Sequence, residues 1–138
     1  MAILNFGFTK IDVEKKAKVS KQISIKSGLN ILAVGQSEMV SGSKQQAFSI
    51  KFAFNVQYEP NVGHIKLEGE IIYLADEKLG KEIIDSWKEK KSLPKQVALV
   101  VFNRILHNCN VEALILSKEI NLPSPIQLPK IKAEEKAK

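Results

Sequence analysis

The chain has 138 residues, 44% of them hydrophobic, and a formal net charge of +6 that is almost entirely lysine, because Arg104 is the only arginine. This length predicts a single domain with one core, and no run approaches the ~18 consecutive apolar residues of a membrane span. The lone Cys109 excludes an internal disulfide, and the N-terminus lacks the features of a secretory signal, so we expect a cytoplasmic protein.

The first segment predicts a strand whose alternation is interrupted once. Phe6 and Phe8 share one face at a period of two, whereas Ile11 and Val13 have the opposite parity. A single strand accommodates this change only with a bulge or bend, which we expect near Thr9–Lys10.

A second alternating region lies between Gln22 and Met39. Its large apolar residues occupy odd positions up to Ile31 and then even positions at Leu32 and Val34, so it predicts one or two strands. The polar stretch SGSKQQ that follows, residues 41–46, predicts a loop.

The strongest signal is FSIKFAFNVQYEPNVGHIKLEGEIIYLAD, residues 48–76. Apolar side chains occupy every even position from Phe48 to Tyr58, and the odd positions from Ile65 to Tyr73 carry them except at Gly69. Between the two runs, Pro60 suits the second position of a type I turn. The pattern predicts an antiparallel hairpin with one aromatic-rich face toward the core.

Two helices follow. Asp76 is a predicted N-cap for an amphipathic helix with an apolar stripe through Leu79, Ile83 and Trp87. Pro94 ends that stretch, and Ser92 is positioned to cap a second helix that begins near Pro94. This second helix is apolar almost all round, so we expect it to be buried on more than one side. In a domain this small, that implies either the sheet below it and a partner subunit above it, or a kink near HNCN.

Strands followed by helices define an α+β fold. We predict a four-stranded antiparallel meander sheet followed by two helices packed on one face. The predicted domain covers residues 1–129, and a charged flexible C-terminal tail covers residues 130–138.

The sequence supplies no catalytic or metal-binding arrangement. His107 and Cys109 are two residues apart on a helix and point to different sides, so they form neither a zinc site nor a Cys–His pair. Glu68 and Glu70 share a strand face beside Lys66, a pattern typical of a soluble surface. We therefore predict no enzyme activity, no metal and no cofactor.

Two stretches resemble the SecB export chaperones. GFTKIDVEKK, residues 7–16, resembles the first SecB strand, and INLPSPIQLPKI, residues 120–131, resembles the proline-rich segment after the last SecB helix. The resemblance implies an archaeal-type SecB-like fold. The basic charge departs from the acidic SecB surface, so the export ATPase is not implied as a partner.

The resemblance further implies an ATP-independent, chaperone-like protein for protein transport, with unfolded polypeptides as clients and a homo-oligomer, a dimer or a dimer of dimers, as its assembly. We predict that an apolar groove binds the client. Its expected lining is Phe6, Phe8, Ile31, Val34, Trp87 and Leu93. The alternative is a single-stranded nucleic-acid-binding protein that uses lysines and exposed aromatics.

Overall fold

The computed structural model describes residues 2–16, 23–37 and 45–125. The strands are β1 Ala2–Lys15, β2 Ser24–Ser37, β3 Gln46–Glu59 and β4 Gly63–Ala75, and the helices are α1 Glu77–Lys90 and α2 Lys95–Glu119. The predicted α+β class and the order of strands before helices are confirmed. The predicted C-terminal tail, residues 130–138, lies outside the described residues.

The strand order within the sheet differs from the predicted meander. The order is β1-β4-β3-β2, with all neighbours antiparallel, so β1 pairs with β4 and leaves β2 at the opposite edge. This is a Greek-key arrangement. The period of apolar residues identifies a strand and its buried face, but it does not identify the neighbouring strand. In this sheet β4 lies between β1 and β3, and the ring of Phe6 packs against that of Phe52 across it.

The core lies between the helices and one face of the sheet. Along β3 every apolar residue at an even position, from Phe48 to Tyr58, is buried, as the alternation predicts. β1 contains the predicted irregularity between Phe8 and Lys10, and β2 is one strand with a comparable shift between Ile31 and Ala33. The turn before β4 is not the predicted type I turn, because Asn61 has a φ of 51°, in the left-handed region.

α1 begins as predicted. The Asp76 carboxylate accepts a hydrogen bond from the Leu79 amide at 2.8 Å, which satisfies one of the free N–H groups of the first turn. The helix approaches β3 closely at Gly80, where a Cβ atom would lie 2.7 Å from the Phe48 ring. Ser92 does not cap α2: Pro94 is the N-cap, without a side-chain bond, and the Ser92 carbonyl accepts from the Ser86 hydroxyl.

α2 is one continuous helix that is buried along a single stripe. The buried residues recur every fourth position: Val97, Val101, Ile105, Cys109, Ala113 and Ser117. A second stripe, two residues further along the helix at each step, is exposed. It includes Leu99, Val111 and Ile115. The expected cover of a second side by a partner subunit stays a prediction, and within the single chain apolar surface remains uncovered on α2.

Candidate functional site

Four of the six residues predicted to line a groove lie in two adjacent rows across the helix-facing side of the sheet. One row contains Phe6, Ile71, Ile50 and Val34, and the next contains Phe8, Gly69, Phe52 and Ile31. The predicted residues occupy the ends of both rows, because β1 and β2 are the edge strands. All four are half-buried and pack against the core.

An aromatic cluster forms where the rows meet β1. The rings of Phe6 and Phe52 stack with centroids 5.3 Å apart, and Phe8 meets Phe6 edge-on at 5.2 Å. Gly69 makes this possible, since a Cβ atom there would lie 2.6 Å from Cζ of Phe52. The missing side chain lets the Phe52 ring extend across β4 toward β1.

A cleft of about 340 Å³ opens between this cluster and α2. Its lining residues are Phe6, Gly7, Phe8, His107, Asn108, Val111 and Glu112. Two aromatic rings and a valine supply apolar surface, while the histidine, asparagine and glutamate supply polar groups. Such a combination can hold an apolar side chain and hydrogen-bond the backbone beside it.

The remaining predicted groove residues lie elsewhere. Leu93 is a core residue with 7% of its surface exposed, and Trp87 is half-buried on α1 with the Lys91 ammonium 5.5 Å from its ring centroid. Ile31 and Val34 lie on the opposite edge strand from the cleft. The structure thus brings Phe6 and Phe8 together and separates them from the other four.

The α2 residues of the cleft were not predicted. The sequence indicates only that α2 is apolar almost all round, so that some of its surface should stay uncovered. It does not indicate which side of the helix that surface lies on. Six of the ten exposed large hydrophobic residues in the described part of the chain lie on α2: Leu99, Val100, Phe102, Leu106, Val111 and Ile115. An apolar surface of this kind is typical of a binding site.

By length and composition α2 is also apolar enough to cross a membrane, a test that the core helix of a soluble protein passes as well. Arg104, Glu112 and three asparagines interrupt its sequence. Its buried stripe packs on the sheet. We therefore interpret α2 as part of the folded domain, with one side uncovered.

The buried titratable groups are unsuited to nucleophilic chemistry. Burial, with the nearby Glu112 charge, raises the pKa of the Cys109 thiol to about 12, so the reactive thiolate is scarce at neutral pH. Burial likewise raises the pKa of Tyr58 to about 12, and its hydroxyl donates to the Pro123 carbonyl at 2.6 Å. Within residues 2–16, 23–37 and 45–125, no group of three or more His, Cys, Asp or Glu residues is arranged to hold a metal ion.

No protein-family model and no curated protein matches this chain in sequence. Five chains among solved structures do match. One is the Mycobacterium tuberculosis Rv1957 SecB-like chaperone in complex with a ChAD peptide from the Rv1956 HigA1 antitoxin. It is 11% identical, has a TM-score of 0.53, and the match covers 94% of this chain and 89% of that chain.

At this identity the likeness concerns the fold. The chain has a SecB-like fold: a four-stranded antiparallel sheet followed by two helices. The similar structure comes from a bacterium and does not support the predicted archaeal type.

Proposed function

We propose that the protein is a chaperone-like binding module that holds apolar segments of nonnative polypeptides in the cleft between β1 and α2. The observation that carries the proposal is the aromatic pair Phe6 and Phe8, left half-buried beside the uncovered surface of α2. The SecB-like fold supports it, as does the peptide present in the similar mycobacterial structure. Binding in this cleft needs neither nucleotide nor metal.

The hydrophobic effect supplies the free energy. A client side chain that enters the cleft contributes about 1.5–3 kcal/mol when its apolar surface is fully buried. A free energy of this size gives only weak binding at a single cleft. The predicted homo-oligomer is therefore part of the proposal, because several clefts acting on one extended client increase the overall affinity through effective concentration. The proposed setting is the cytoplasm.

Two matched variants test the cleft. Val111 lines it, whereas Ile115, one turn further along α2, does not, and the two are 48% and 49% exposed. Val111→Asp should weaken binding of a fluorescent apolar peptide by about tenfold, the scale expected for replacing a buried apolar contact with a charge. Ile115→Asp should change the affinity much less. Equal losses in both variants would contradict the assignment of the cleft.

Suppression of client aggregation provides the functional readout. The wild-type chain should keep an unfolded client soluble at moderate salt, and Phe8→Ala should reduce this activity while circular dichroism confirms that the domain remains folded. Binding to single-stranded oligonucleotides that falls steeply with salt would favour the nucleic-acid alternative. The aromatic residues Phe48, Phe52, Phe54 and Tyr58 are all buried, so they offer no surface on which bases could stack.

A further inference from the structure

A second cavity, of about 360 Å³, lies on the face of the sheet that is turned away from the helices. The residues around it are Thr9, Leu32, Lys51, Phe52, Glu68, Gly69 and Glu70. The Phe52 side chain is buried on the opposite face and Gly69 has no side chain, so both contribute backbone to the floor. The other five residues complete the lining of the cavity.

Irregularities in both edge strands create this cavity. The shift in β1 between Phe8 and Lys10 and the shift in β2 between Ile31 and Ala33 lie at the level of the paired residues Phe52 and Gly69. A bulge bends its strand and redirects a side chain. The extra residues of the two strands, at positions 9 and 32, therefore line one cavity from opposite edges of the sheet.

The charges in the cavity are complementary but do not pair with one another. Lys51 lies directly opposite Glu70 on the neighbouring strand, an arrangement in which oppositely charged side chains normally interact. Across the described residues, however, no ion pair within 4.0 Å joins Lys51 to Glu68 or Glu70. The Glu70 carboxylate instead accepts a hydrogen bond from the Ser49 hydroxyl.

Small residues keep the space open. Gly7 is paired with Glu70, and no atom lies within 4 Å of the position that its Cβ would occupy. Ala33 is paired with Lys51 on the other side. Lys10 lies opposite Glu68, so the two lysines and two glutamates at and beside the cavity carry equal numbers of positive and negative charges. The cavity thus offers one ammonium and two carboxylates, with apolar surface at its edge.

We propose that this cavity binds a zwitterionic small molecule, a free α-amino acid with an apolar side chain. Lys51 would receive the ligand's carboxylate, and Glu68 and Glu70 would accept hydrogen bonds from its ammonium group. Leu32 and the Thr9 methyl group would contact the side chain. A ligand that carries both charges replaces the ion pair that the protein itself does not form. This site is separated by the sheet from the Phe6 and Phe8 cleft and does not depend on its function.

Three probes test the assignment with the full chain: L-leucine, leucinamide, which lacks the carboxylate, and N-acetyl-leucine, which lacks the ammonium. Amide chemical shifts of Thr9 and Gly69 in NMR titrations should report binding of L-leucine. Each derivative should bind at least about tenfold more weakly, since it loses a charge-assisted hydrogen bond.

The variants separate the two charges. Lys51→Gln should abolish the preference for L-leucine over leucinamide, and Glu68→Gln should reduce the preference over N-acetyl-leucine. Lys66→Gln, on the same face of β4 but outside the cavity, should change neither preference. Binding of the apolar peptide at the cleft should persist in all three variants.

The proposal is overturned if L-leucine leaves the Thr9 and Gly69 amides unchanged up to its solubility limit. Equal affinities for the three probes, or a preference unaffected by Lys51→Gln, would overturn it as well. If L-leucine binds as expected while the apolar peptide does not, the function proposed for the cleft fails and the amino-acid site stands.

Discussion

The substitution Gly69→Ala tests whether a missing side chain on β4 organises the aromatic cluster. The new Cβ atom would lie 2.6 Å from Cζ and 3.0 Å from Cε2 of Phe52, well inside ordinary van der Waals contact, and it would also press on the Gly7 carbonyl oxygen. Phe52 has no free space to move into, because it is fully buried and stacked on Phe6. The Gly7 contact involves backbone that is paired in the sheet.

The expected cost follows from this overpacking. Extra methyl groups in a packed core destabilise by about 1–3 kcal/mol, and the two simultaneous contacts favour the upper part of that range. Because the urea dependence of unfolding for a small domain is about 1–3 kcal/mol per molar, the midpoint of urea denaturation should fall by roughly 1 M.

Gly35→Ala is the matched control. Gly35 is also a strand glycine, but no atom lies within 4 Å of its prospective Cβ. This substitution should leave stability unchanged or raise it by about 0.4–1 kcal/mol, through the lower entropy of the unfolded chain. Of the two glycine substitutions, only Gly69→Ala is thus expected to lower the stability.

A second control addresses the mechanism. In the background of Phe52→Leu, the smaller side chain removes the ring contact, so the added cost of Gly69→Ala should shrink, which a double-mutant cycle measures. The reasoning would be refuted if the glycine substitution proved as harmless as that at position 35, or if its cost were the same with and without the ring.

Further predictions concern three individual side chains. Asp76→Ala should cost about 1 kcal/mol of unfolding free energy through loss of the α1 cap, while Asp76→Asn should retain most of it. Tyr58→Phe should cost about 1 kcal/mol by leaving the Pro123 carbonyl without its donor. Cys109 should resist thiol reagents in the folded state and react after denaturation. Because folding raises the pKa of Cys109 from 9.0 to about 12, its contribution to stability should be complete below pH 9 and decline as the pH rises toward 12, as pH-dependent urea denaturation would show.

Local patterns in the sequence predicted much of the fold. Alternation over residues 48–58 identified the buried face of β3, because a strand turns successive side chains to opposite sides. The parity change in β1 located its irregularity for the same reason. Asp76 identified the start of α1, because a short side-chain acceptor before an amphipathic stretch satisfies the free amides of the first turn.

The candidate site was predicted only in part. Phe6 and Phe8 were recognised as apolar residues on one face of an early strand, and they line the cleft. Their α2 neighbours, such as Val111, were missed, since a helix that is apolar almost all round does not reveal which stripe meets the sheet. Trp87 and Leu93, which were predicted to lie near the early strands, do not line the cleft.

The side chains that share a strand or helix face follow from the amino-acid sequence, because the periods of two and 3.6 residues are properties of the backbone. Three features depend instead on how the whole chain packs: the position of β1 beside β4, the ring of Phe52 reaching across Gly69, and the absence of an ion pair between Lys51 and Glu70 among the described residues. Each of these depends on contacts between residues far apart in the chain, and such contacts are set by the packing of the whole domain.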